Sequence, residues 1–171
     1  MKKLLTTTVI VTAMAPAMVF AQAVSGDKEI TINGQGTSDN DLDSNDFSLT
    51  GSFGHYINDQ GQVGVRQTLT ITDREGSSTD FDGATVVYYD HHFGQGKFRP
   101  FIGANLGYNY GDRTEETFSA GPEVGLKYYV LEKTFVQGML QYQFLFEDGD
   151  DVEDNYDDGI LYYSVGMGFN F

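Results

Sequence analysis

The sequence predicts an all-β chain, an eight-stranded antiparallel up-and-down transmembrane β-barrel behind a cleaved N-terminal signal peptide. Three observations predict it. Alternating apolar and polar residues recur in segments of about ten, the length a tilted strand needs to cross a bilayer. The connections alternate between short turns and longer acidic stretches. The bulky aromatic residues fall on one face of the alternation, and glycine and amides on the other.

The N-terminus carries the export pattern. Lys2 and Lys3 are followed by an apolar run from Leu4 to Phe20 and by small residues around Ala21. Residues 1–21 are therefore read as a signal and 22–171 as one barrel domain. Pro16 and the shortness of the run argue against an anchor helix, which needs ~20 apolar residues. Removing residues 1–21 takes Lys and Arg from 10 to 8 against 25 Asp and Glu, so the net charge moves from −15 to −17. Phosphate backbones would be repelled, which excludes nucleic acid as a partner. With no cysteine, disulfide frameworks, zinc–thiolate sites and Cys nucleophiles are excluded as well.

Eight strands are expected, at Lys28–Thr37, Phe47–Ile57, Gln62–Thr72, Ala84–Phe93, Pro100–Tyr110, Thr117–Val130, Thr134–Phe146 and Gly159–Phe171. The turns Asn58–Gly61, Gly94–Lys97 and Leu131–Lys133 are short hairpins. Ser38–Asp46, Asp73–Gly83, Gly111–Glu116 and Glu147–Asp158 are the longer connections. Short turns on one side and longer loops on the other is the outer-membrane barrel pattern. An even strand count puts both termini on the short-turn side.

Volume decides which face lies outside. One face of the last four strands carries ten Tyr and Phe side chains, among them Tyr108, Phe118, Tyr142, Phe144 and Phe169. Eight strands enclose barely enough room for ordinary side chains, so this face points outward, to lipid. The opposite face is smaller and more polar, with Gly103, Asn105, Glu123, Lys127, Gln137 and Gln141. Strands one to four follow the rule less cleanly. Gln67 interrupts the outward row Val63, Val65, Leu69, Ile71, and His55 sits between Phe53 and Ile57.

These residues resemble a known family. Pro100-Phe-Ile-Gly-Ala-Asn-Leu-Gly-Tyr108 and Gly121-Pro-Glu-Val-Gly-Leu-Lys-Tyr-Tyr129 are similar to strands of small outer-membrane barrels of the OmpA/OmpX/OmpW and opacity type. The last strand has Tyr163, Val165, Met167, Phe169 and Phe171 at every second position. It resembles the C-terminal signal read by the barrel-assembly machinery. The resemblance covers essentially the whole mature chain. It implies a bacterial outer-membrane location after export, and an architecture rather than an activity. The partners it implies are outer-membrane lipids, lipopolysaccharide, periplasmic chaperones and the assembly machinery, with the barrel a monomer.

Five inward charges, Glu29, Arg66, Asp90, Glu123 and Lys127, form the candidate site. Burying a charge is costly unless it is paired, so a lumen-filling polar network is expected, with a proton or ion path as the rival reading. The loops hold Asp39, Asp41, Asp43 and Asp46, and Glu147 to Asp158. Oxygen-rich clusters can bind calcium. Ser44 and Thr50, however, stand where a helix-loop-helix calcium loop needs Gly and Glu, so a solvated acidic fringe is expected and no metal or cofactor. His55, His91 and His92 form no Ser–His pattern, so no catalytic residues are assigned and an enzyme is not expected. The expected role is structural, a barrel displaying acidic loops. Loop-mediated adhesion or cation binding and passage of small solutes are the alternatives.

Overall fold

The computed structural model describes residues 23–38, 45–73, 80–112, 116–146 and 160–171. The proposed signal peptide and most of the acidic loop residues lie outside them. Eight strands follow one another: β1 Lys28–Ser38, β2 Asn45–Tyr56, β3 Gly61–Asp73, β4 Asp80–His92, β5 Phe98–Gly111, β6 Thr117–Tyr129, β7 Thr134–Phe146 and β8 Ile160–Asn170. Each pairs antiparallel with its neighbours in chain order, and β8 closes on β1. Along Glu29–Gly34 and Val165–Asn170 this closure covers the edges that would otherwise template aggregation.

Most strand ends agree with the sequence reading. The largest difference is β4, which begins at Asp80 rather than Ala84. Its start is held by the pairs Ile71↔Phe81 and Asp82↔Gly111, contacts that local alternation cannot report. β5 starts two residues before Pro100, whose ring is exposed on the outer face. Pro122 has no N–H to donate, and the β6–β7 ladder passes from Ala120↔Phe144 to Glu123↔Gln141 without bridging Gly121 and Pro122.

The two faces divide as volume demands. Ile32, Leu69, Val87, Leu106, Leu140 and Val165 are all exposed on the outside. So are Tyr163, Val165, Met167, Phe169 and Phe171, which make a continuous apolar stripe on β8. The inside holds Glu29, Arg66, Asp90, Arg99, Glu123 and Lys127, each at most 5% exposed. Gln67, the break in the outward row, is satisfied where it stands. Its amide donates to Tyr110 Oη at 2.7 Å, and Thr85 Oγ1 donates to its Oε1 at 2.8 Å. A small polar cluster on the outer wall thus replaces an orphaned amide.

The three short turns and both strand termini lie at one end. In the β4–β5 turn Gly94 and Gly96 take φ of 72° and 128°, a region that side chains with Cβ rarely enter. Asn58 Oδ1 accepts the N–H groups of Gln60 and Gly61 at 2.9 and 2.7 Å, closing the β2–β3 turn. The residues before β1 fold beneath this end. Gly26 N donates to Tyr56 O at 2.8 Å, and Ala23 is only 3% exposed.

Candidate functional site: the barrel lumen

From the short-turn end inward, the lumen is built in layers. Arg99 forms the first. Its Nη1 donates to Ala23 O at 3.2 Å and its Nη2 to Asp59 O, tying the pre-β1 segment and the β2–β3 turn across the mouth.

The second layer is an ion pair inside an aromatic box. Lys127 Nζ lies 2.7 and 2.9 Å from the two oxygens of Glu29. It also donates to Tyr56 Oη and Gln62 Oε1, both at 3.2 Å. The rings of Phe135, Phe101 and Tyr56 stand 5.0, 5.5 and 5.6 Å from the ammonium, within reach of cation–π attraction. His92 packs between Tyr56 and Phe101, with centroids 5.3 Å from each. Tyr129 packs against Phe135 with its ring tilted by 50°, and its Oη accepts from Asn170 Nδ2 at 2.8 Å. Glycine makes room for these rings. A Cβ on Gly168 would fall 2.2 Å from the Phe135 ring, and one on Gly125 2.3 Å from Phe101.

The third layer is a fork. Arg66 donates from Nη1 and Nη2 to the two oxygens of Glu123, both at 3.1 Å, the bidentate geometry that suits guanidinium and carboxylate. Asn105 and Gln141 also donate to Glu123 Oε2, at 2.8 and 3.0 Å. Tyr88 lies face-on beneath the guanidinium, 4.5 Å away. Asp90 meets Glu123 over Gly103, where a Cβ would fall 2.1 Å from Asp90 Oδ1.

Above the fork the lumen opens. Hydroxyl pairs line it, Ser48 with Thr70 at 2.7 Å and Thr50 with Thr68 at 2.8 Å. Asn33, Gln143, Tyr162 and Ser164 complete the wall of a cavity of about 400 Å³ whose floor includes Arg66 and Met139.

The structure thus divides the five predicted charges between two layers, Glu29 with Lys127 and Arg66 with Glu123, and sets Asp90 beside the second pair. That set alone carries one excess acid. Arg99, which the sequence reading leaves out, brings the buried acids and bases to three each among the described residues. The signal for it was present. Arg99 lies two residues before inward Phe101, so extending the alternation past Pro100 points it inward. Asp39, Asp41, Asp43 and the acidic run from Glu147 to Asp158 lie outside the described residues. His55 is exposed on the outer face, and His91 and Phe93 pair ring to ring at 4.9 Å.

Solved structures share this architecture. The N-terminal β-barrel domain of Pseudomonas aeruginosa OprF aligns with 87% of this chain and all of its own, at 21% identity and a TM-score of 0.56. Neisserial surface protein A aligns over 88% of this chain and 100% of its own, at 17% identity and a TM-score of 0.63. OprG from Pseudomonas aeruginosa, an outer membrane protein, covers 89% of this chain and 99% of its own, at 11% identity and a TM-score of 0.60. The chain therefore has the fold of the small eight-stranded barrels. No family model matches it, and no curated protein matches it in sequence.

Proposed function

We propose that the chain is an integral outer-membrane barrel with a structural and surface role, exported behind residues 1–21 and displaying its acidic loops to the medium. One observation carries this reading: the wall is apolar outside and ion-paired inside. In water that arrangement would expose a continuous belt of aliphatic and aromatic side chains. In lipid it is what a spanning barrel requires. The structural likeness to outer-membrane barrels supports the location. The proposed partners follow: outer-membrane lipid and lipopolysaccharide at the wall, and chaperones and the assembly machinery reading the β8 stripe. The barrel acts as a monomer and catalyses nothing.

Between the aromatic box and the fork, side chains fill the lumen, so steady ion conduction is not expected. Refolded protein should run faster on a cold gel than after boiling, and planar bilayers containing it should show no steady conductance. A soluble chain without heat-shifted mobility overturns the membrane reading. A reproducible open channel overturns the plugged lumen and favours solute passage.

A further inference from the structure

The seam between β1 and β8 is shorter than the other ladders. It pairs Glu29–Gly34 with Val165–Asn170, extended by reciprocal hydrogen bonds between Lys28 and Phe171 at 2.9 Å. β1 continues to Ser38, paired to β2 alone. β8 begins at Ile160, and as far as Ser164 it pairs with β7 alone. Two strand edges therefore face each other without a ladder, on the loop side of Gly34 and Val165.

Three further observations meet there. The cavity above the Arg66–Glu123 fork is walled on this side by Asn33, Ile160, Tyr162 and Ser164. Ser164 Oγ is buried and has no hydrogen-bond partner. Outside, the apolar stripe runs past this height, with Leu161, Tyr163 and Val165 at 60, 56 and 70% exposure. Beside it Gly34 and Gly51 leave a bare strip of wall, with nothing within 4 Å of where their Cβ atoms would stand.

In the hydrocarbon, unpaired backbone groups cost several kcal/mol each unless something satisfies them. A ligand that is polar at one end and apolar at the other fits both sides of this gap. The cavity's hydroxyls and amides each donate or accept as needed, and its charged groups among the described residues, Arg66 and Asp82, both already have partners. The site therefore suits a neutral head group rather than a charged one. We infer that the loop-side lumen binds the neutral, hydroxyl-bearing head of a single-chain amphiphile, which reaches it from the membrane between β1 and β8 and leaves its acyl chain on the Gly34–Gly51 strip. This rests on the membrane reading above.

The test uses refolded full-length mature chain loaded with 1-monoolein, glycerol, methyl oleate or oleate. The sample is exchanged into an amine-oxide detergent that offers no competing sugar head, and retained ligand is read by native mass spectrometry. One monoolein per barrel should be retained, about tenfold over each of the other three. The chain has no cysteine, so a Gln35→Cys/Ser164→Cys protein, changed at the next register position on each strand, can be joined by a short bismaleimide. Joining should cut retention by about tenfold relative to the same protein left open. Ala84→Phe, which fills the cavity without touching the seam, should do the same.

Glycerol retained as well as monoolein, oleate preferred, or joined and open proteins retaining alike would each overturn the inference. Heat-shifted gel mobility, run on every sample, separates the two readings. A barrel that shifts yet holds no monoolein sinks only this inference, whereas a chain that does not shift sinks the membrane reading beneath it.

Discussion

The two halves of the lumen are built from the same eight strands and differ in what fills them. The short-turn half buries Lys127 and Glu29 among Tyr56, Phe101, Tyr129 and Phe135, all 1% exposed or less apart from Glu29 at 2%. The loop-side half sets hydroxyls and amides, with Val86, Met139 and Leu145 among them, around open space. A narrow barrel can therefore be a solid core along part of its length and a vessel along the rest. The switch between them is made by side-chain size at inward positions, since the backbone alternation is the same throughout.

That contrast can be broken most sharply at Lys127. Lys127→Met strands Glu29 in a ring of aromatics, and the barrel should lose about 3–5 kcal/mol in urea unfolding from lipid vesicles. Adding Glu29→Gln should recover a good part of the loss, because the uncompensated charge is then gone. An unchanged midpoint for Lys127→Met would mean that water reaches this layer. Next in size, Gly168→Val or Gly125→Val should cost about 1–3 kcal/mol by overfilling the box. The same change at Gly138, where nothing lies within 4 Å of the Cβ position, should leave the midpoint in place. If all three behave alike, the box is not close-fitting.

Arg66→Met should cost less than Lys127→Met, about 2 kcal/mol. The stranded Glu123 keeps Asn105 and Gln141 as donors and borders the open cavity. A loss equal to that at Lys127 would show that the cavity is dry. Smallest of all, Thr50→Val should shift the midpoint by about 0.5–1 kcal/mol, since Thr68 is left beside space able to hold water. Equal effects in both halves of the lumen would erase the distinction drawn between them.

Much of the fold could be read from residues one at a time. In β5 to β8 aromatic bulk on one face and Gly, Asn and Gln on the other settled strand count and facing, because eight strands leave too little room for ten rings inside. The first half was harder to read. Gln67 breaks the outward pattern in sequence, and its partners Tyr110 and Thr85 come from β5 and β4, which only the fold brings beside it. Arg99 was hidden by Pro100, which made the strand look shorter than it is. Tyr56, Gln62 and His92 carry no local mark, since nothing in the sequence around an inward residue at a strand end makes it part of a charge's enclosure.

The sequence by itself determined that this chain closes into a barrel with its greasy side out, since period-two alternation and side-chain volume are local properties. Only the tertiary structure decided which charge meets which. Glu29 and Lys127 are 98 residues apart and Arg66 and Glu123 57 apart. Their pairing depends on how far each strand slides against the next as the barrel closes. That slide also left β1 and β8 unladdered above Gly34, because register around a closed sheet is fixed by all eight strands together.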